Sequence, residues 1–491
     1  MTPGQSIRRG IAWMFIGNSG KQLLGFLFGI VLARLLAPED FGAILTIQVF
    51  TGLAGFVAGG GMGQALVRAK DATKQDYDIV FTLQLGIGCL IYAGAFFAAP
   101  WFAKWYDTPL FADLLRVSAL SFIYRPLANL PASMLHRQMR YKEQAVVGIT
   151  SLMVSNATTI LMAWLGYGVW SLIWGGVVGA TYSAAVLIPL ARWRPGFSLD
   201  FRRGRDIARY GIMVSANDIV GYLRNQVSIF ILSRALGPAS VGLYNKGESL
   251  AKMPHSFITG SVYQVLFRSM AAEQDNLHKC RFLFLRSIAL VAIYATPFYI
   301  SLLWLAEPLI RGIYGEKWIE AAGPLMILAL AWPFWLLETL SGAVLAARNW
   351  LNRELVTQIS AIILTALAVL IGLAYGIRGV AWAIFSVSIY SAFYMLWLAL
   401  SCLKAHWIDI LRALAPAAIL NLLLAGSLYL TDAIIPEQIQ ANVYFYLVTL
   451  SVVGVLVYAS SFLYLPFTSL ATEQQRWKIK LRLSHVQHPK S

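Results

Sequence analysis

Apolar runs of about twenty residues, parted by short connections carrying charge or Gly and Pro, recur along this whole 491-residue chain. A helix of that length spans the roughly 30 Å hydrocarbon core of a bilayer. Fourteen such spans are expected, near 9–36, 40–67, 77–99, 111–133, 144–165, 168–190, 207–235, 240–268, 282–305, 321–346, 354–374, 377–401, 410–430 and 443–466. The chain is therefore expected to be an all-α integral membrane protein. Composition agrees, because 58% of residues are hydrophobic and 13% charged, whereas soluble domains carry about 25% charged residues. The first span is too long for a cleavable signal peptide. Cys89, Cys280 and Cys402 are too scattered for a disulfide framework or a metal site. Neither a metal nor a cofactor is expected.

The formal net charge of +16 would suit a nucleic-acid binder if it were gathered in one patch. It is spread instead over alternate connections. One side receives twenty-five Lys and Arg residues, from Arg8 and Arg9 through Arg68, Arg137, Arg192 and Arg281 to the tail around Trp477; the other receives six. By the positive-inside rule both termini are cytoplasmic, and nucleic acid is not an expected partner. The basic tail, 468–491, is expected to lie on anionic headgroups or in water.

A repeat at an offset of 200 residues organises the chain. VLARLLAPEDFG at 31–42 aligns without gaps to ILSRALGPASVG at 231–242, with identical pairs Arg34/Arg234, Leu36/Leu236, Pro38/Pro238 and Gly42/Gly242. Six spans lie between the copies, so they run in the same direction and the repeat is parallel. The expected domains are an amino-terminal lobe at 1–191, a basic linker at 192–206, a second lobe at 207–402, two further helices at 403–467 and the tail.

The first helices of the two lobes carry matching polar stripes. In the seventh span Asn217, Gly221, Arg224 and Ser228 share a face, flanked by Asp218 and Asn225; in the first, Asn18, Gln22, Gly25 and Gly29 do, with Lys21 beside them. Small residues at this spacing also pack helices together. Charges at bilayer depth are costly and usually face a bundle interior or a wet cavity. The cations so placed are Lys21, Arg125, Arg224, Lys246 and Lys252, with Ser118, Ser121 and Asn129 on the face of Arg125. The acids are Asp218, Glu248 and Glu338. Glu248 precedes Lys252 by four residues, which suits an internal ion pair. Asp218 either balances Arg224 or binds a coupling ion. Pro254, Pro324 and Pro333 kink their helices, with or without a gating role.

The opening RRGIAWMFIGNSGKQLLGFLFGIVLARLLAPEDFG, together with ILSRALGPASVGLYNKGESLAKMP, resembles the Wzx-type polysaccharide flippases of the multidrug/oligosaccharidyl-lipid/polysaccharide exporter (MOP) superfamily, colanic-acid-type branch. The resemblance covers essentially the whole chain. It implies a monomeric transporter of the bacterial inner membrane. Its cargo would be undecaprenyl-diphosphate-linked oligosaccharide, with a polysaccharide polymerase and export machinery as partners. Arg and Lys clamps suit a diphosphate, so Lys21, Arg125, Arg224, Lys246, Lys252, Asn18, Asn217 and Asn225 are the expected substrate contacts. Asp218, Glu248 and Glu338 are reserved for coupling or charge balance. A lipid II flippase and a multidrug antiporter of the same superfamily are the alternatives. A glycan-polymerising enzyme would need a catalytic outer loop, and 306–320 offers no acid/base set.

Overall fold

The computed structural model describes residues 3–481 apart from 60, 70, 71, 274 and 441, and leaves the side chains of 3–12, 15, 201–204, 206, 207, 217, 256–261 and 351 outside the description. Among the described residues the chain is helical, with no strand. Eleven helical stretches among the described residues are long and apolar enough to cross a membrane. In hydrocarbon each backbone N–H and C=O must be satisfied within its own segment, which a helix achieves. The chain is thus a multi-pass, all-α membrane protein. Contacts divide it into two compact units, Met1–Gly242 and Leu243–Ser491. This division places the seventh span with the six before it.

The first unit contains α1 (Pro3–Leu35), α2 (Pro38–Gly59), α3 (Met62–Arg68), α4 (Lys74–Trp105), α5 (Leu110–Ala119), α6 (Ser121–Arg137), α7 (Tyr141–Trp164), α8 (Val169–Leu190) and the first part of α9 (Phe201–Ala272). Two expected spans are interrupted. The span at 40–67 breaks between α2 and α3, where Gly61 takes φ 56 and an added Cβ would lie 2.7 Å from the Gly211 carbonyl. Only glycine meets both demands cheaply, so α2 ends at Gly59, and Gly61 precedes α3, in a span that apolar content alone would continue. The span at 111–133 divides at Leu120, and α6 then carries Pro126 and Pro131, each removing a helical donor. Helix α9 begins at Phe201, within the expected linker at 192–206.

The repeat has a structural counterpart. The first copy joins α1 to α2, with the Asp40 carboxylate accepting from the Ala37 N–H at 3.0 Å. The second lies inside α9, which kinks at Gly237 (φ 78, ψ 176) just before Pro238. The two copies pack on each other reciprocally. A Cβ on Gly42 would sit 1.6 Å from the Pro238 carbonyl oxygen, and a Cβ on Gly242 would sit 2.1 Å from the Pro38 carbonyl oxygen. Contact of i with j and of j with i is the mark of a local twofold.

The second unit holds the rest of α9, then α10 (Leu277–Tyr314), α11 (Ala322–Ala347), α12 (Leu351–Gly372), α13 (Gly376–Leu403), α14 (Trp407–Ile434), α15 (Glu437–Gln440), α16 (Val443–Tyr464) and α17 (Ala471–Lys480). Polar side chains join its helices: Asn421 donates to Thr296 Oγ1 at 2.6 Å, and Tyr458 to the Ile293 carbonyl at 2.7 Å. Gln474 donates to the carbonyls of Phe462 and Leu465, both at 2.7 Å, fixing the first part of the tail as α17. Arg482 and Lys490 of the tail lie outside the described residues.

Candidate substrate cavity

The break between α2 and α3 opens one side of a cavity of about 760 Å³ inside the first unit. Helix α2 ends at Gly59, so its last carbonyls have no partner further along. Gln84 of α4 serves one of them, donating to Gly59 O at 2.9 Å. Ser215 of α9 donates to Phe56 O at 3.1 Å, and Gln144 of α7 to Ala132 O at 2.6 Å. Each of these polar side chains anchors its helix and leaves the rest of its polar surface on the cavity wall. Asn129, Ser133, His136 and Tyr210 add further polar groups to a lining that also includes Phe56, Val67 and Ala132. Such groups bind acceptor- and donor-rich ligands, whereas apolar residues would serve better against lipid.

Cations surround it. Arg68, the last residue of α3, lines the cavity with its guanidinium 4.9 Å above the Tyr210 ring. Lys21 and Asn18 line a smaller adjoining cavity of about 130 Å³ that shares His136 and Gln144 with the large one. Arg125 lines a third recess, too tight to admit a water, that shares Gln84, Asn129 and Gly59 with the large cavity. Its guanidinium stands 5.8 Å from the Phe122 ring centroid and makes no ion pair among the described residues. Room for it depends on Gly55, where a Cβ would lie 2.3 Å from Nη1. Asp218 is the one carboxylate on the large cavity's wall among the described residues.

The expected site residues therefore separate. Asn18, Lys21, Arg125 and Asp218 gather at these connected cavities. Lys21 is more exposed than a buried cation would be, and lies along α7 beside Gly148. Arg224 stands six residues beyond Asp218, about a third of a turn around the helix, and is half-buried. Asn225 is exposed and donates to the Gly221 carbonyl at 3.0 Å, while the side chain of Asn217 lies outside the description. The glycines of both stripes are not packing residues: a Cβ at Gly25, Gly29 or Gly221 would meet nothing within 4 Å.

The remaining expected residues belong to the second unit. Lys246 is buried against Tyr314 and Trp318, 5.0 and 5.4 Å from their ring centroids. Glu338 is buried in α11. Glu248 and Lys252 make no ion pair within 4 Å among the described residues, but the Lys252 charge still acts on the Glu248 carboxylate, and Lys252 is itself exposed. Arg68, Gln84, His136 and Gln144 were not expected at the site. Arg68 satisfies the positive-inside rule as its basic neighbours do, and the glycines at 59, 61 and 63 are the sequence signal that the helix stops there.

Long helices broken at Gly and Pro, with a polar cavity among them, define a multi-pass membrane transporter. Comparison agrees at the level of fold. The structure of the lipid II flippase MurJ, in an inward closed conformation, matches with a TM-score of 0.74 at 18% identity over 92% of this chain and 99% of that one. An inward-facing multidrug resistance MATE family transporter of the MOP superfamily matches with a TM-score of 0.61 at 16% identity, over 78% of this chain and 95% of that one. A family model described as "Polysaccharide biosynthesis protein" matches residues 31–323, and the chain belongs to that family. Among curated relatives, the succinoglycan biosynthesis transport protein ExoT of Rhizobium meliloti is 26% identical over 334 residues, 67% of this chain and 68% of its own. The lipopolysaccharide biosynthesis protein WzxC of Escherichia coli is 22% identical over 65% of this chain and 66% of its own. The teichuronic acid biosynthesis protein TuaB of Bacillus subtilis is 23% identical over 70% of this chain and 72% of its own.

Proposed function

We propose that the chain is a flippase that carries oligosaccharide units linked to undecaprenyl diphosphate across the bacterial plasma membrane, for assembly of exopolysaccharide, capsule or O-antigen. It is a transporter and performs no covalent chemistry. The observation that carries the reading is Arg125, a guanidinium without an ion-pair partner among the described residues, recessed beside a polar cavity. An uncompensated charge at membrane depth costs about 3 kcal/mol, and a diphosphate oxygen offsets that cost when cargo is bound. Arg68 and Lys21 extend the same field against the single carboxylate of Asp218. This excess of positive charge favours an anionic cargo over the cationic drugs of an antiporter.

The spans support fourteen crossings. The stretches 208–255 and 352–403, of 48 and 52 residues, each contain two helices; the broken α5–α6 pair supplies one more. Fourteen crossings and the basic asymmetry keep both termini in the cytoplasm. The repeat supports alternating access by two six-helix lobes.

Deleting the gene is expected to halt polymer export in viable cells and to trap lipid-linked repeat units on the cytoplasmic face, read by labelling in intact and permeabilised cells. Lethality would point to lipid II as cargo, and drug hypersensitivity with normal export to an antiporter. Asp218, the one carboxylate on the cavity wall among the described residues, is the coupling group in this scheme. Asp218→Asn is expected to leave cargo binding intact and make flipping insensitive to collapse of the proton or sodium gradient. Retained ionophore sensitivity in that variant would rule the role out.

A further inference from the structure

A second cavity in the first unit, about 530 Å³, lies apart from the site already described and shares no lining residue with it. It forms where three connections meet: the residues before α4 (Thr73, Lys74), the end of α6 (Arg137) and the segment after α8 (Arg192, Arg194). Four cations line it, and no carboxylate does among the described residues. Asp76, which does not line it, accepts from the Thr73 N–H at 2.7 Å and the Thr73 hydroxyl at 2.8 Å. Arg137 is fixed by donating to the Ala72 carbonyl at 2.9 Å. Arg192 adopts φ 51, a left-handed conformation uncommon for a residue with a side chain. The floor is apolar, built on Tyr77 and Trp193, and Trp193 is 3% exposed with its indole Nε1 lacking a hydrogen-bond partner.

Charge asymmetry across the membrane accounts for basic residues in these connections. It does not account for their convergence, since residues 74, 137, 192 and 194 satisfy that rule wherever they point. Beside the cavity, Phe197 and Leu199 are 74% and 71% exposed, and the Ser198 N–H donates to Thr82 Oγ1 at 3.0 Å, holding this apolar segment along α4. Exposed aromatic and aliphatic side chains next to a cationic pocket suit the membrane surface, where the anionic groups are phosphates.

We infer that this pocket binds a phosphate-bearing group at the membrane surface, through Lys74, Arg137, Arg192 and Arg194, independently of the cargo cavity. The group is supplied by an anionic phospholipid headgroup or by a soluble phosphate. The inference does not depend on the cargo reading.

The test uses the full chain in a non-ionic detergent, titrated with short-chain phosphatidylglycerol, with a glycolipid of the same tails lacking phosphate, and with inorganic pyrophosphate. Binding is followed by thermophoresis. The parent is expected to bind at least one phosphate-bearing probe and not the glycolipid. The triple variant Lys74→Gln, Arg192→Gln, Arg194→Gln changes exposed side chains only, and should weaken binding roughly a hundredfold, at about fivefold per cation. A second triple variant, Arg476→Gln, Lys478→Gln, Lys480→Gln, has the same net charge and should bind as the parent does. Response to phosphatidylglycerol alone assigns the pocket to a lipid headgroup, and response to pyrophosphate assigns it to a soluble ligand. Equal weakening in both triples, or no phosphate-dependent binding by a parent that keeps its thermal midpoint, would overturn the inference.

Discussion

Alanine at position 42 is expected to destroy the packed protein. The new Cβ would lie 1.6 Å from the Pro238 carbonyl oxygen and 2.4 Å from its carbonyl carbon. Both atoms are backbone, so no rotamer change relieves the clash; the α1–α2 corner and the α9 kink must move apart. Overpacking a core typically costs about 1–3 kcal/mol and more when backbone has to shift, so a loss of at least 3 kcal/mol is expected. Gly242→Ala should follow it, because its Cβ would meet the Pro38 carbonyl oxygen at 2.1 Å. Gly25→Ala is the control: its Cβ meets nothing within 4 Å, and alanine has the better helix propensity by about 1 kcal/mol. Thermal unfolding in detergent reads all three. A melting point for Gly42→Ala near that of the parent would mean that the two copies of the repeat do not pack as described.

That contact explains why one part of the fold was legible in the sequence and another was not. Pro38-x-x-x-Gly42 and Pro238-x-x-x-Gly242 are local words whose meaning, a helix start followed by a close approach, follows from the conformations of proline and glycine. Spans and charge asymmetry are legible for the same reason, since each segment meets the bilayer by itself. The cavity depends on which helices become neighbours. Gln84 reads as an isolated polar residue until Gly59 ends α2 and leaves it a carbonyl to serve. Arg68 reads as one of many basic connection residues until the break turns α3 so that it lines the cavity beside Tyr210. Helical spacing identified the faces of α1 and α9, and the open space around Gly25, Gly29 and Gly221 agrees with surfaces that are not helix contacts. It could not tell that Lys252 would extend outward or that Lys246 would stack on Tyr314 and Trp318.

Arg125→Ala is expected to reduce polymer export about a hundredfold at unchanged protein level, measured in cells whose chromosomal copy is deleted. Removing one partner of a desolvated charge pair costs about 2–5 kcal/mol, and each 1.4 kcal/mol is a factor of ten in affinity. Because Arg125 has no ion pair of its own among the described residues, its loss strands no protein carboxylate, and stability should not fall with transport. Structural arginines behave differently, since truncation leaves a buried partner unpaired. Arg125→Lys should recover only part of the activity, as an ammonium cannot grip two phosphate oxygens in the planar fork geometry. Gly55→Ala supplies an independent route to the same atom. Its Cβ would lie 2.3 Å from Arg125 Nη1, and because the guanidinium sits at the end of a flexible chain it should swing aside with little cost to folding. Export should then drop by roughly a factor of ten, an intermediate loss consistent with a displaced clamp. Parental export by Arg125→Ala would remove this residue from cargo binding. Parental export by Gly55→Ala alone would show that the cargo tolerates the displaced guanidinium, and that positive charge near the cavity matters more than its direction.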